Sequence, residues 1–140
     1  MERKHLEKHL DIIQQNINRM ASNSFMIKGW LIALISAGFV FISKEYSYLI
    51  SVASIILTIG FALVDTMYLQ TERKFRKLYD IVVFDSEQER IKDLEINIEH
   101  ELILSDVNIN YWRCLISKSI IIPYVFLIIY NVVLFILIKI

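Results

Sequence analysis

Three apolar runs, each about the length of a bilayer-crossing helix, constrain this chain more than any other feature. They cover residues 25–42, 48–70 and 119–138. Crossing hydrocarbon takes ~20 mostly apolar residues at ~1.5 Å rise each, because a helix satisfies every backbone amide within its own segment. The third run is apolar around its whole circumference, a pattern that would leave a soluble helix with an unburied face. Composition agrees: 56% of the 140 residues are hydrophobic, 21% are charged and the mean hydropathy is +0.50, well away from an ordinary soluble domain. The expected fold class is an all-α membrane protein with three transmembrane helices.

Charge sets the expected orientation. Thirteen of the fifteen Lys and Arg lie in residues 1–28 and 71–118, and only Lys44 and Lys139 fall elsewhere. Short cytoplasmic segments are enriched in Lys and Arg, so the N-terminus is expected inside and the C-terminus outside. The chain then divides into a cytoplasmic amphipathic helix (1–24), a transmembrane hairpin (25–70, with spans 25–42 and 48–70), a cytoplasmic helical segment (71–118) and a third transmembrane helix (119–140). About 24 polar residues, with Glu2, Glu7 and Asp11, precede the first apolar run, so this run reads as a retained anchor and not as a cleaved signal.

Net charge is zero and the signs alternate through the middle segment, which gives no basic stripe for nucleic acid. A lone cysteine, Cys114, excludes a disulfide framework and reads as a small hydrophobe. His5 and His9 stand one helical turn apart, but two ligands without a third are a weak metal signal. No phosphate-cradling glycine loop or nucleophile–base pair stands out, so neither an enzyme, a cofactor nor a metal site is expected.

Leu6, Leu10, Ile13, Ile17 and Met20 recur at spacings of four and three, the seam of an amphipathic or coiled-coil helix. This stripe has three candidate partners: the chain's own middle segment, a second copy, or the lipid surface. Ala21-Ser22-Asn23-Ser24 is helix-weak and is expected to form a kink or joint before the membrane. The second apolar run passes without a breaker into Tyr68, Leu69, Phe75, Leu78, Tyr79, Val82 and Val83, so one helix is expected to continue to about Phe84. Asp85-Ser86 with Glu89 then reads as a capping box, opening a helix whose stripe is Ile91, Leu94, Ile98, Leu102, Ile109 and Trp112. Such a thin helical layer favours a homo-oligomer.

Inside the spans, Gly29, Ala33 and Ala37 form one small-residue stripe and Ser54, Thr58 and Ala62 another. Counted from a turn near Glu45 and Tyr46, the two match in depth, and they are expected to face each other. Lys28 and Asp65 fall at similar depth near the inner face. They form either an intramembrane ion pair or a snorkelling lysine beside a boundary aspartate. Asn131 in the third span is expected to bond to a neighbouring helix or a second copy, with an ion path as the alternative. Pro123 either kinks the start of that span or marks its first turn.

Arg19-Met20-Ala21-Ser22-Asn23-Ser24-Phe25 with Lys28-Gly29-Trp30 resembles the entry motif of a widespread family of small bacterial multi-span membrane proteins. Asp65 with Tyr68-Leu69, Glu72-Arg73, Phe75-Arg76 and Leu78-Tyr79 is similar to that family's second-span exit. Trp112 with Ser117, Ser119, Ile120 and Tyr124 is similar to its third-span entry, with departures at Tyr111 and Pro123. The resemblance covers nearly the whole chain and is specific to family, not to activity. It implies the bacterial inner membrane and a likeness to membrane effectors of anti-phage systems such as CBASS and Pycsar, in which a nucleotide signal or a soluble cytoplasmic partner acts on the protein. An oligomeric effector that permeabilises the membrane is thus one expected function. A membrane anchor for a soluble partner and a small ion channel or transporter using Lys28, Asp65 and Asn131 are the alternatives.

Overall fold

The computed structural model describes residues 3–40, 47–86, 98, 103 and 105–139, and all regular structure among them is helical. Helix α1 runs Arg3–Val40 and α2 runs Ser47–Ser86. A 3-10 turn at Val107–Ile109 leads into the short α3, Tyr111–Leu115, and then α4, Lys118–Lys139. Three of these helices are long and apolar enough to cross a membrane. With 38 and 40 residues, α1 and α2 extend to roughly 57 and 60 Å at 1.5 Å per residue, about twice the hydrocarbon thickness. Each therefore has residues enough for a bilayer crossing and for a polar extension.

The chain forms two compact units, Met1–Asn23 with Met67–Cys114 and Ser24–Thr66 with Leu115–Ile140. The first has a small apolar core. Ile13 and Ile17 of α1, Phe75, Leu78 and Val82 of α2, and Ile103 and Ile109 are buried together, with Leu6, Leu10, Met20, Tyr79, Ile81 and Ile98 packed against them. The stripe Leu6, Leu10, Ile13, Ile17 and Met20 thus finds its partner within its own unit. It is not left free for a second copy or a soluble partner, because burying it at home removes its apolar area from water without an association step.

Polar side chains of α2 tie down the same unit. Gln70 Nε2 donates to the Ile109 carbonyl at 2.9 Å, Arg73 Nη1 donates to the Asn108 carbonyl at 2.8 Å, and Lys77 pairs with Asp106 at 3.4 Å. Asp106 accepts from the Asn108 amide at 2.9 Å, which with Lys77 holds its carboxyl below the usual range. Asn110 caps α3 through a bond from the Trp112 amide to its side-chain oxygen at 3.1 Å. Cys114 is fully buried and its thiol is pushed up by that burial.

Several boundaries differ from expectation. The helix-weak run at residues 21–24 does not break α1. Ser24 donates its hydroxyl proton to Asp65 and accepts from Lys28 instead of turning on its own backbone, the competition that would have ended the helix. Helix α2 runs unbroken to Ser86, near the expected end at Phe84. Glu89, Ile91, Leu94 and Leu102 lie outside the described residues, as does the hairpin turn at 41–46. Ile98 and Ile109 reach the core of the first unit, whereas Trp112 is exposed. Pro123 sits inside α4, past its first turn, and the helix is continuous through it.

Candidate functional site: a buried charge network

The second unit is held by two polar layers. The deeper-charged layer centres on Asp65, whose side chain is 0% exposed. Ser54, Thr58, Ala62 and Asp65 lie on one face of α2, and the hydroxyls on this helix satisfy themselves on the preceding turn. Thr58 donates to the Ser54 carbonyl at 2.7 Å, and Thr66 to the Ala62 carbonyl at 2.7 Å. A carboxylate has no such recourse, since it is an acceptor only and the mid-helix amides are already paired. Asp65 must draw its donors from the other two helices.

It does so from both. Lys28 Nζ of α1 lies 2.5 Å from Asp65 Oδ2. Ser24 Oγ, one turn before Lys28, donates to Asp65 Oδ1 at 2.5 Å and accepts from Lys28 Nζ at 2.8 Å. Tyr124 of α4 places its hydroxyl 3.1 Å from Asp65 Oδ2 and 3.3 Å from the Phe61 carbonyl. The single phenolic proton is shared between these two acceptors. One carboxylate thus joins three helices, with Lys28 21% exposed and Asp65 sealed. Taking a carboxylate out of water costs several kcal/mol, and the pairing plus two charge-assisted hydroxyl bonds offset it.

The second layer lies toward the hairpin turn. Asn131 Nδ2 of α4 donates to Ser54 Oγ, which donates to the Ser51 carbonyl at 3.0 Å. Ring contacts of Phe39 with Tyr130 and Tyr48 with Phe135, at centroid separations of 6.3 and 6.4 Å, flank this layer. Beside it is a groove of about 130 Å³ lined by Tyr48, Ser51, Val52, Ile55, Asn131, Val132 and Phe135.

The two small-residue stripes do not meet. Ser54 and Thr58 are buried and Ala62 is partly so, whereas Gly29, Ala33 and Ala37 are exposed. A Cβ placed on Gly29 would meet nothing within 4 Å. The inward face of α1 is instead Ser24, Leu31 and Ile35, because reaching Asp65 with Ser24 and Lys28 fixes the rotation of the helix and turns the small stripe outward. Of the two histidines, His5 is exposed and His9 buried, and among the described residues no group of three potential ligands comes together.

No family model, curated protein or solved structure matches this chain.

Ser24 and Tyr124 belong to the network although neither stood out as a site residue from the sequence. Ser24 looked like a joint, and its signal was its place one turn before Lys28. Tyr124 lies seven residues, two turns, before Asn131, so both polar groups of α4 share one face. Chemically the arrangement is a latch. The links from α1 and from α4 in this layer converge on the one Asp65 carboxylate, so withdrawing that group loosens both at once.

Proposed function

We propose that the chain is an oligomeric effector of the bacterial inner membrane which perturbs or permeabilises the bilayer in anti-phage defence. Its first unit faces the cytoplasm and receives a nucleotide signal or a protein partner. The observation that carries this reading is the sealed Asp65, bonded to Lys28, Ser24 and Tyr124. Stability does not require such a group, since replacing a buried ion pair by apolar residues of similar volume is often neutral or stabilising. A charged residue at membrane depth is kept for function by default, and one that joins three spans is suited to hold them in a resting packing until the trigger separates them. The resemblance of the entry motif and the second-span exit to small membrane effectors supports the same reading.

The test is membrane potential, followed with a dye, in cells expressing the chain or its Asp65→Ala variant. Rapid depolarisation that the variant loses or uncouples from the trigger is the expected result. Unchanged potential at verified expression and insertion would overturn the effector reading. In that event the chain acts as a membrane anchor that recruits a soluble partner, a reading favoured by the exposed Phe84, Val107 and Trp112 on the first unit. Co-purification of a partner without any leak would decide for it.

A further inference from the structure

The first unit presents a tryptophan outward where the chain approaches α4. Trp112 is 67% exposed and Val107, five residues earlier, 60%, although an indole is among the largest apolar surfaces a chain can bury. The exposure is built in. Ile109 and Cys114 are buried on the inner side of the same stretch, and Asn110 Oδ1 accepts from the Trp112 amide at 3.1 Å. The Tyr111 ring stands edge-on to the indole at a centroid separation of 5.9 Å. Arg73 donates to the Asn108 carbonyl at 2.8 Å and Arg113 to the Asn108 side-chain oxygen at 3.3 Å. Together these contacts hold the indole at a fixed place on the surface.

Two observations name what covers it. The first is distance along the chain. Three helical residues lead from Trp112 to Leu115, where α3 ends, and three more lead to Lys118, where α4 begins. The Trp112 backbone therefore lies at most about 15 Å from the start of a helix long and apolar enough to cross a membrane. The interfacial region of each leaflet is ~5–8 Å deep, and tryptophan is enriched there because its ring is apolar while its Nε1–H needs a polar partner. The second is charge. After Asp106 the sequence holds no Asp or Glu, and the charges between it and the apolar interior of α4 are Arg113 and Lys118, both exposed. Asp106 itself is paired with Lys77 at 3.4 Å. An outward aromatic flanked by two cations and no acid complements the anionic surface of a cytoplasmic leaflet. An acidic protein would match the charge as well, but the bilayer is kept within reach by the chain itself and needs no association step.

We infer that the Val107–Arg113 edge of the first unit docks on the headgroup region of the membrane, with Trp112 seated at the interface and Arg113 and Lys118 on the phosphates of anionic lipids. The docking goes beyond the proposed function and does not rest on it. It requires only that α4 cross the bilayer, whether or not the chain permeabilises it.

The experiment is tryptophan quenching in the full chain, purified and reconstituted in vesicles of phosphatidylcholine and phosphatidylglycerol. Trp30 and Trp112 are the two tryptophans, so Trp30→Phe leaves Trp112 as the reporter. The difference between the parent chain and Trp112→Phe gives the same signal if Trp30→Phe does not fold. Bromine near the headgroup end of the acyl chains is expected to quench Trp112 several-fold more than bromine near the acyl terminus, and acrylamide to quench it several-fold less than free tryptophan amide. In phosphatidylcholine alone, or with Arg113→Gln and Lys118→Gln together, acrylamide quenching should rise. Absence of quenching by shallow bromine overturns the inference: if Trp112 is then open to acrylamide its face is wet and free for a soluble partner, and if it is shielded from acrylamide too it is covered by protein. Stronger quenching by deep bromine would put Trp112 in the hydrocarbon and overturn it as well. Acrylamide quenching indifferent to lipid charge and to both Gln substitutions would overturn the roles of Arg113 and Lys118.

Discussion

The Lys28–Asp65 pair makes a prediction that is asymmetric between its two partners. Lys28→Met leaves a fully sealed carboxylate with only the Ser24 and Tyr124 hydroxyls as donors. Breaking a buried pair by removing one member costs about 3–5 kcal/mol. Because the Lys28 side chain is 21% exposed, and so partly screened, the lower end applies, roughly 3 kcal/mol. Asp65→Asn is milder. Its amide oxygen still accepts from Ser24 or Tyr124, and the released Lys28 can extend its four-carbon stem to the headgroups. That loss is the difference between a charged and a neutral hydrogen-bond set, about 1–2 kcal/mol. The two variants should therefore differ by roughly 1–2 kcal/mol, about a tenfold difference in the unfolding equilibrium. In Lys28→Met/Asp65→Asn no charge is stranded, so the double variant should be more stable than Lys28→Met alone. Reversible unfolding in mixed micelles, followed by circular dichroism against denaturing detergent, measures all three. A Lys28→Met variant no less stable than Asp65→Asn, or a double variant less stable than Lys28→Met, would refute the argument that the carboxylate is the sealed partner.

Other outcomes follow from burial. Ile13 is fully buried in the core of the first unit, so Ile13→Ala should cost about 2–5 kcal/mol, read as a loss of cooperative unfolding or earlier proteolysis within residues 1–23 and 67–114. His9 is buried, with Nε2 unpartnered among the described residues, and burial lowers its pKa from 6.5. The unfolded chain then binds the proton first, so the first unit should keep its stability above about pH 6.5 and lose it as pH falls through the lowered folded value. His9→Leu should flatten that acid limb in a pH series of thermal melts. Ala33 faces outward, so Ala33→Leu should leave protomer stability within about 0.5 kcal/mol, as surface changes do.

What the sequence determined by itself is what depends on length and period. Three apolar runs of bilayer length can only be helices, since no other local structure satisfies a backbone in hydrocarbon, and α1, α2 and α4 are each long and apolar enough to cross. The unbroken passage of α2 beyond Asp65 was legible because no proline or glycine interrupts residues 61–86. The similar depth of Lys28 and Asp65 was legible by counting from the turn, since rise per residue is fixed.

Rotation about the helix axis was not legible. Small residues fit equally well at an internal contact or on the lipid side, so Gly29, Ala33 and Ala37 looked like the natural seam with Ser54, Thr58 and Ala62. Only the tertiary structure showed that reaching Asp65 with both Ser24 and Lys28 turns that stripe outward. The partner of the Leu6–Met20 stripe was open for a similar reason. A heptad seam specifies that something apolar must cover it and not what, and Phe75, Leu78 and Val82 cover it because α2 runs on far enough to do so. Tyr124 became part of the site only when α4 packed beside α2, some sixty residues away in the chain. Period and length are properties of a segment, whereas the choice of face belongs to the strongest cross-helix bond, and in this unit that bond is the one a buried carboxylate cannot make on its own helix.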